Sequence, residues 1–345
     1  MGDVKTATPA MARAINDRLA LDLLLERGPL TAPQLRTLTG LSRPTVSDLI
    51  ERLRDGGLIE VTGESGEDRR GPNARLYDIV ANRAHVAGVD VRRAAVDVTI
   101  ADITGRAVGS AVREIPGPEG PQDLAILMES AIREAAAGRV LDTVVIGAPG
   151  LVDPRNGELV SDNVPGWRPG LMASVRQSMG VPVVLENEVN LAAIAELRTG
   201  AAMGRDDFVL LWLDEGVGAA VVLGGRLRRG VSGGAGEVGF LEMDGMSFCD
   251  QVEAKAARHL DSEELAARIA RGAFALVTIL DPGLVVLGGT TGRAGGDALA
   301  ALVAERVGEL SPAPAEIRAS TVVGNAVLQG AVLTALDLAR DNVFG

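Results

Sequence analysis

Between Thr31 and Tyr77 the spacing of apolar residues changes from a helical period to an alternating one, which predicts two short helices and then a strand pair. Leu35 and Leu38 give the first helix an apolar edge. Val46, Leu49 or Ile50, and Leu53 give the second an inward face. Thr31, with Gln34 three residues later, forms a capping box, and Gly40 closes that helix. Leu41 is the expected buried turn residue. Ser42 caps the second helix, with Pro44 in its first turn, where a missing N–H does no harm. Leu58 to Val61 alternates as a strand, a polar Gly-rich tip follows, and Ala74 to Ile79 can return beside it. Upstream, Ile15, Leu19 and Leu23 suggest a helix that supports the motif.

Cap, turn, second cap and wing in this order predict a winged helix-turn-helix over residues 1–81, with double-stranded DNA as its partner. Such a domain reads base edges with residues near the start of its second helix. Here those are Ser42, Arg43, Thr45, Ser47 and Asp48. Arg69, Arg70 and Arg75 fall on the wing, where arginines meet phosphates or the minor groove.

The pattern then changes scale. Val86 to Gly109 reads as strand, turn, apolar strand, turn and the start of a third strand, and Asp207 to Gly230 repeats the plan about 120 residues later. Between them lie a helix (Gln122 to Ala137), a strand (Asp142 to Gly147), a second strand (Pro182 to Glu186) and a helix (Leu191 to Thr199). After the second meander come a helix (Leu265 to Leu280), a strand (Leu284 to Leu287) and a closing helix (Asn325 to Asp341). This alternation predicts an α/β body over residues 82–345 with two lobes related by duplication. Lobe 1 takes about 86–200 and the C-terminal helix, lobe 2 about 201–324, and a ligand cleft is expected between them.

Charge refines the partner. The chain carries a net −12, but up to Arg83 it has twelve basic and twelve acidic residues, so the excess acid belongs to the body. A neutral head suits DNA if its basic residues cluster, with strong salt dependence. Aromatic residues make up only 2%, so Leu, Val, Ile and Ala must build the core. The single Cys249 excludes an internal disulfide and fits a reducing cytoplasm. No run approaches the length of a membrane span and no signal peptide opens the sequence, so a cytoplasmic protein is expected.

Five segments of the body carry a resemblance: IGAPGLVDPRNGELV, SDNVPGW, PVVLENEVNLAAIAE, GVGAAVVLGGRLRRGVSGGAGEVGF and LDPGLVVLGGT. In this order they resemble the ROK family of repressors and sugar kinases, from Val86 to the C-terminus. The resemblance implies an actin-like, hexokinase-like fold. With a winged helix in front, it implies the regulator branch, in which a sugar-like effector controls operator binding. It also implies ligand contacts at Asn163, Asn187, Glu188, Glu237 and Glu253, whose amides and carboxylates suit a polyhydroxylated ligand.

The departures from the family pattern bear on catalysis. Where family kinases have a DxG phosphate turn, this chain has Asp90-Val91-Arg92, and a β-branched residue beside an arginine removes the close backbone approach. Gly216, Gly218 and the Gly288-Gly289 pair are kept, but Glu215 replaces a small hydroxyl residue and would repel phosphate. Glu188 stands at the kinase base position, one methylene longer than the family Asp, a displacement that can cost about a hundredfold in rate. The family zinc loop is missing. Phe240 stands where its His would be, and Cys249, His85 and His259 are too few to hold tetrahedral zinc. No cofactor and no metal are expected.

These features point to a regulator, a repressor rather than an enzyme, acting as a homodimer or homotetramer on a palindromic operator. A sugar kinase with a fused DNA-binding head remains the alternative, as does a regulator that has lost small-molecule binding.

Overall fold

The computed structural model describes residues 8–65, 74–116, 123–160 and 164–345. In the head, α1 (Pro9–Arg27) precedes β1 (Leu30–Thr31), α2 (Ala32–Thr39), α3 (Arg43–Asp55), β2 (Ile59–Ser65) and β3 (Ala74–Ile79). The local signals are met in their chemistry. Thr31 and Gln34 cap reciprocally, Gly40 is left-handed at φ 71°, and the Ser42 hydroxyl accepts from the Thr45 amide. Strands β2 and β3 pair antiparallel, with β1 on the other side of β3. Leu35, Val46, Leu49, Ile50 and Leu53 are buried together.

Two expectations need correction. Helix α1 exists, but it buries Ala20, Leu21 and Leu24, while Ile15 and Leu19 lie exposed. The Arg52–Asp17 ion pair, at 2.6 Å, fixes the rotation of α1 against α3. Leu38 also faces water, so Leu35, with the partly buried Ala32, anchors α2.

The body opens with β4 (His85–Val91), β5 (Ala95–Asp102), β6 (Ala107–Glu114), α4 (Leu124–Ala136), β7 (Thr143–Ala148), β8 (Val152–Asp153), β9 (Glu158–Leu159), α5 (Leu171–Met179), β10 (Val183–Asn187) and α6 (Glu188–Thr199). It continues with β11 (Phe208–Leu213), β12 (Val217–Leu223), β13 (Arg226–Arg228), β14 (Glu242–Met243), β15 (Met246–Ser247), α7 (Phe248–Val252), α8 (Ala254–Ala257), α9 (Ser262–Leu280), β16 (Leu284–Gly288), α10 (Gly289–Leu310), β17 (Glu316–Ala319) and α11 (Ala326–Phe344). One sheet has the order β10-β7-β4-β5-β6, the other β13-β12-β11-β16-β17. In each, an antiparallel meander joins parallel strands, as the internal echo predicts.

Strand alternation sorts the apolar residues into layers. One face of the first sheet packs on α4 and α5, and one face of the second packs on α7, α9 and α10. Between the sheets, a third cluster unites Val86 and Val145 with Leu210, Val286, α6 and α11. These two central helices pack closely. A Cβ added to Gly330 of α11 would fall inside the backbone carbonyl of Leu191 on α6. Gly330→Ala should therefore destabilise the body by about 1–3 kcal/mol despite alanine's better helix propensity. Thermal unfolding measures this, and an unchanged or raised Tm would contradict the close packing.

The head is not tethered by a free linker. Ile103 and Phe344 of the body are buried in the same cluster as Leu21, Leu49 and Ile79 of the head. Arg18 bonds Asp341 at 2.9 Å and lies 5.8 Å from the centre of the Phe344 ring. Arg340 donates twice to the Ile103 carbonyl.

Candidate functional site

On the head, α3 presents its N-terminal turn outward. Ser42, Arg43, Ser47 and Asp48 are exposed and Thr45 is half-buried. Their hydrogen bonds separate their roles. The Ser42 and Thr45 hydroxyls bond each other at 2.8 Å, and the Ser47 hydroxyl donates to the Arg43 carbonyl. Among the described residues the Arg43 guanidinium makes no ion pair, which leaves its planar donor fork available for a base edge. Arg75 is exposed on β3. Arg69 and Arg70 lie outside the described residues.

In the body, a single cleft of about 1210 Å³ is lined by Asn187, Glu188, Glu237 and Glu253 together. Asn163 lies outside the described residues. Trp167 packs against the core of the first sheet and does not line the cleft.

Asn187 ends β10 and caps α6, so its side chain has a structural task as well. Its Oδ1 accepts from the Val189 and Asn190 amides, and its Nδ2 donates to the Gly150 carbonyl at 3.0 Å and to Glu188 Oε2 at 2.7 Å. It thereby aims Glu188, the first residue of α6, into the cleft. Burial, reinforced by Glu237 and Asp90 nearby, pushes the Glu188 carboxyl up to about 8. Burial also raises Asp90 to about 6, against the lowering effects of Asn325 and Arg92, and it raises Glu237. A carboxyl held neutral can donate as well as accept, which suits sugar hydroxyls.

The sign of the pH dependence follows. Folded Glu188 keeps a proton that the unfolded chain releases near its ordinary pKa. Its favourable contribution is complete below about 4.5 and is lost as pH rises toward about 8. Tm should fall across that window, and Glu188→Gln should remove on the order of 1–3 kcal/mol of the fall. A wild-type profile that rises between pH 5 and 8, or an unchanged slope in the variant, would contradict this.

Sequence reasoning missed one residue of the cleft lining and one ion pair between the two lobes. Asn325, the N-cap of α11, donates to Asp90 at 2.7 Å. Arg229 reaches from the second lobe to the buried Glu186 of the first at 2.6 Å. Asn325 was visible only as a helix start, and nothing local marks its pairing with a residue so far away in sequence.

The end of the cleft with glycine-rich turns is furnished with the protein's own charges. Arg92 bonds Asp97 and approaches Asp90 at 3.5 Å. Asp214 Oδ2 takes both the amide and the hydroxyl of Thr290, at 2.9 Å each, at the start of α10. A carboxylate there already takes the Thr290 amide and places negative charge where an anion would otherwise be attracted. Gly289 is left-handed at φ 73°, and a Cβ would strike the Leu213 carbonyl, so this glycine serves a tight strand-to-helix turn. Glu215 faces Arg93 across 3.8 Å. Where a zinc loop would be, Phe240 and Cys249 do not supply a fitting donor set. Among the described residues no group of three or more His, Cys, Asp or Glu side chains could hold a metal ion.

Comparison with known proteins agrees with the two-part architecture. Residues 86–257 match the ROK family, and residues 15–71 match the MarR family of winged-helix domains. The chain belongs to the ROK family, with a MarR-like winged helix ahead of the ROK domain. It is 27% identical over 243 residues to the xylose repressor of Bacillus subtilis, covering 69% of this chain and 63% of the repressor. The chain thus spans less than two thirds of that relative's length. The ROK hexokinase from Thermus thermophilus is 27% identical with a TM-score of 0.63, covering 74% of this chain and 99% of the hexokinase. A ROK family transcriptional regulator homologous to the Escherichia coli MLC protein shares the fold of head and body, with a TM-score of 0.74 at 18% identity, over 96% of this chain and 99% of that one.

Proposed function

We propose that this protein is a DNA-binding transcriptional repressor whose ROK domain binds a sugar-like effector and so changes operator affinity. The observation that carries this reading is the path of α11. Its N-cap, Asn325, lines the cleft and holds Asp90, while near its end Asp341 and Phe344 are docked on the head and Arg340 holds the Ile103 carbonyl beside them. A helix of 19 residues spans about 28 Å and transmits displacement as a rod when packed along its length. An effector that moves Asn325 therefore reorients α3. In a homodimer or homotetramer the two recognition helices must sit about one DNA turn apart, so a small rotation alters the fit to a palindrome. The xylose repressor similarity supports the same reading. Such a protein acts in the cytoplasm, and no helix among the described residues is long and apolar enough to cross a membrane.

Hexokinase similarity and the half-buried Glu188 carboxyl in the cleft favour a sugar kinase as the second reading. Against it stand the Asp214 cap on α10 and the Arg92 side chain bonded to Asp97. A thermal-shift screen against sugars, sugar phosphates and ATP with magnesium separates the two. A ligand at 100 times its Kd adds about 2.7 kcal/mol, enough to shift the transition. Stabilisation by a sugar without ATP supports the repressor, and ATP stabilisation with sugar-dependent ADP release supports the kinase.

A further inference from the structure

Phe240 stands apart from the polar residues of the cleft. It lies on a 3-10 turn (Val238–Phe240) directly after Glu237, lines the cleft and is 82% exposed. Backbone hydrogen bonds hold the turn that carries it. The Phe240 amide donates to the Glu237 carbonyl at 3.3 Å, and Phe248 N donates to the Leu241 carbonyl at 2.7 Å. Gly239, beneath it, is buried and has no room for a side chain against the Val217 carbonyl. Cys249 lines the cleft beside Gly239, where burial pushes its thiol pKa up. One cleft therefore combines hydrogen-bonding groups at Asn187, Glu188 and Glu237 with an exposed aromatic ring carried on a hydrogen-bonded turn. A lone exposed phenylalanine on a convex surface carries no message, but a ring in a concave site is an apolar contact awaiting a partner.

We propose that the effector is a polyhydroxylated ring bearing an apolar substituent, a methyl, acyl or aryl group, which packs on Phe240 while the hydroxyls bond the carboxyl side of the cleft. This rests on the sugar-sensing reading and narrows its ligand class. Phe240 sets specificity: its face gains from C–H contact and buried apolar area and offers nothing to a bare hydroxyl.

Titration calorimetry on the full-length protein tests it with matched ligands. Glucose, galactose, mannose and xylose are each compared with their methyl and phenyl glycosides, and the hexoses with their N-acetylamino counterparts. At least one substituted sugar should bind about tenfold or more tightly than its parent. Phe240→Ala should erase that preference while leaving Tm and ligand-free operator affinity nearly unchanged, and Phe240→Leu should restore part of it. Parent sugars binding as well as their derivatives, or a preference that survives Phe240→Ala, would overturn the assignment while leaving sugar sensing intact. No binding by any sugar, with operator binding preserved, would remove the sugar-sensing reading and this proposal together.

Discussion

Replacing Arg43 with alanine should weaken binding to the specific operator by about 1–3 kcal/mol while changing affinity for random DNA much less. The expectation rests on what the neighbours do with their own donors. Ser42 and Thr45 satisfy each other and Ser47 bonds backbone, so their hydroxyls are partly engaged, whereas the Arg43 guanidinium is exposed at the first turn of α3. A bidentate arginine on a guanine edge is the commonest specific contact in the major groove. Competition binding with operator and scrambled duplexes at fixed salt gives the answer. Equal losses on both would place Arg43 on a phosphate instead, with the salt slope reduced by about one.

The second large effect is expected at Asn187. Asn187→Ala removes the cap of α6, costing about 0.5–2 kcal/mol of stability, and frees Glu188 and the Gly150 carbonyl from their donor. Ligand-induced stabilisation should disappear, since the carboxyl at the cleft floor loses its aim. Operator affinity without effector should stay within about twofold, because the head packs on Ile103 and α11, not on α6. Effector titrations followed by anisotropy on operator DNA check both halves, and a normal response in the variant would remove Asn187 and Glu188 from the site.

Local chemistry made the head legible from sequence. Thr31, Gln34, Gly40, Ser42 and Pro44 each act within a few residues, so caps and turns could be placed before any tertiary contact was known. The face of α1 could not be placed this way. Ile15, Leu19 and Leu23 have helical spacing, but the buried set is Ala20, Leu21 and Leu24, selected by packing and by the Arg52–Asp17 pair. Helix α10 escaped notice because its first turns are rich in glycine, and Gly296, at φ 54°, interrupts its helical geometry.

In the cleft, the motif residues Asn187, Glu188, Glu237 and Glu253 were legible because their segments are distinctive. Asn325 and the Asp214 cap were not, nor was the Arg229–Glu186 pair outside the cleft lining, since each works through a partner distant in sequence. The docking of Phe344 into the head was equally hidden. A terminal phenylalanine has no pattern of its own, yet it joins the end of α11 to the domain that would meet DNA.

In a sugar-responsive repressor, a ligand in the cleft controls DNA binding through the body. Fluorescence anisotropy tests it most directly, using an operator selected from a random duplex library by the full-length protein, titrated with and without a sugar that raises Tm. The repressor account predicts that this sugar weakens operator binding by roughly tenfold or more, a coupling of about 1.4 kcal/mol, and that ATP changes nothing. An operator affinity untouched by saturating sugar, or sugar-dependent release of ADP from ATP, would contradict it.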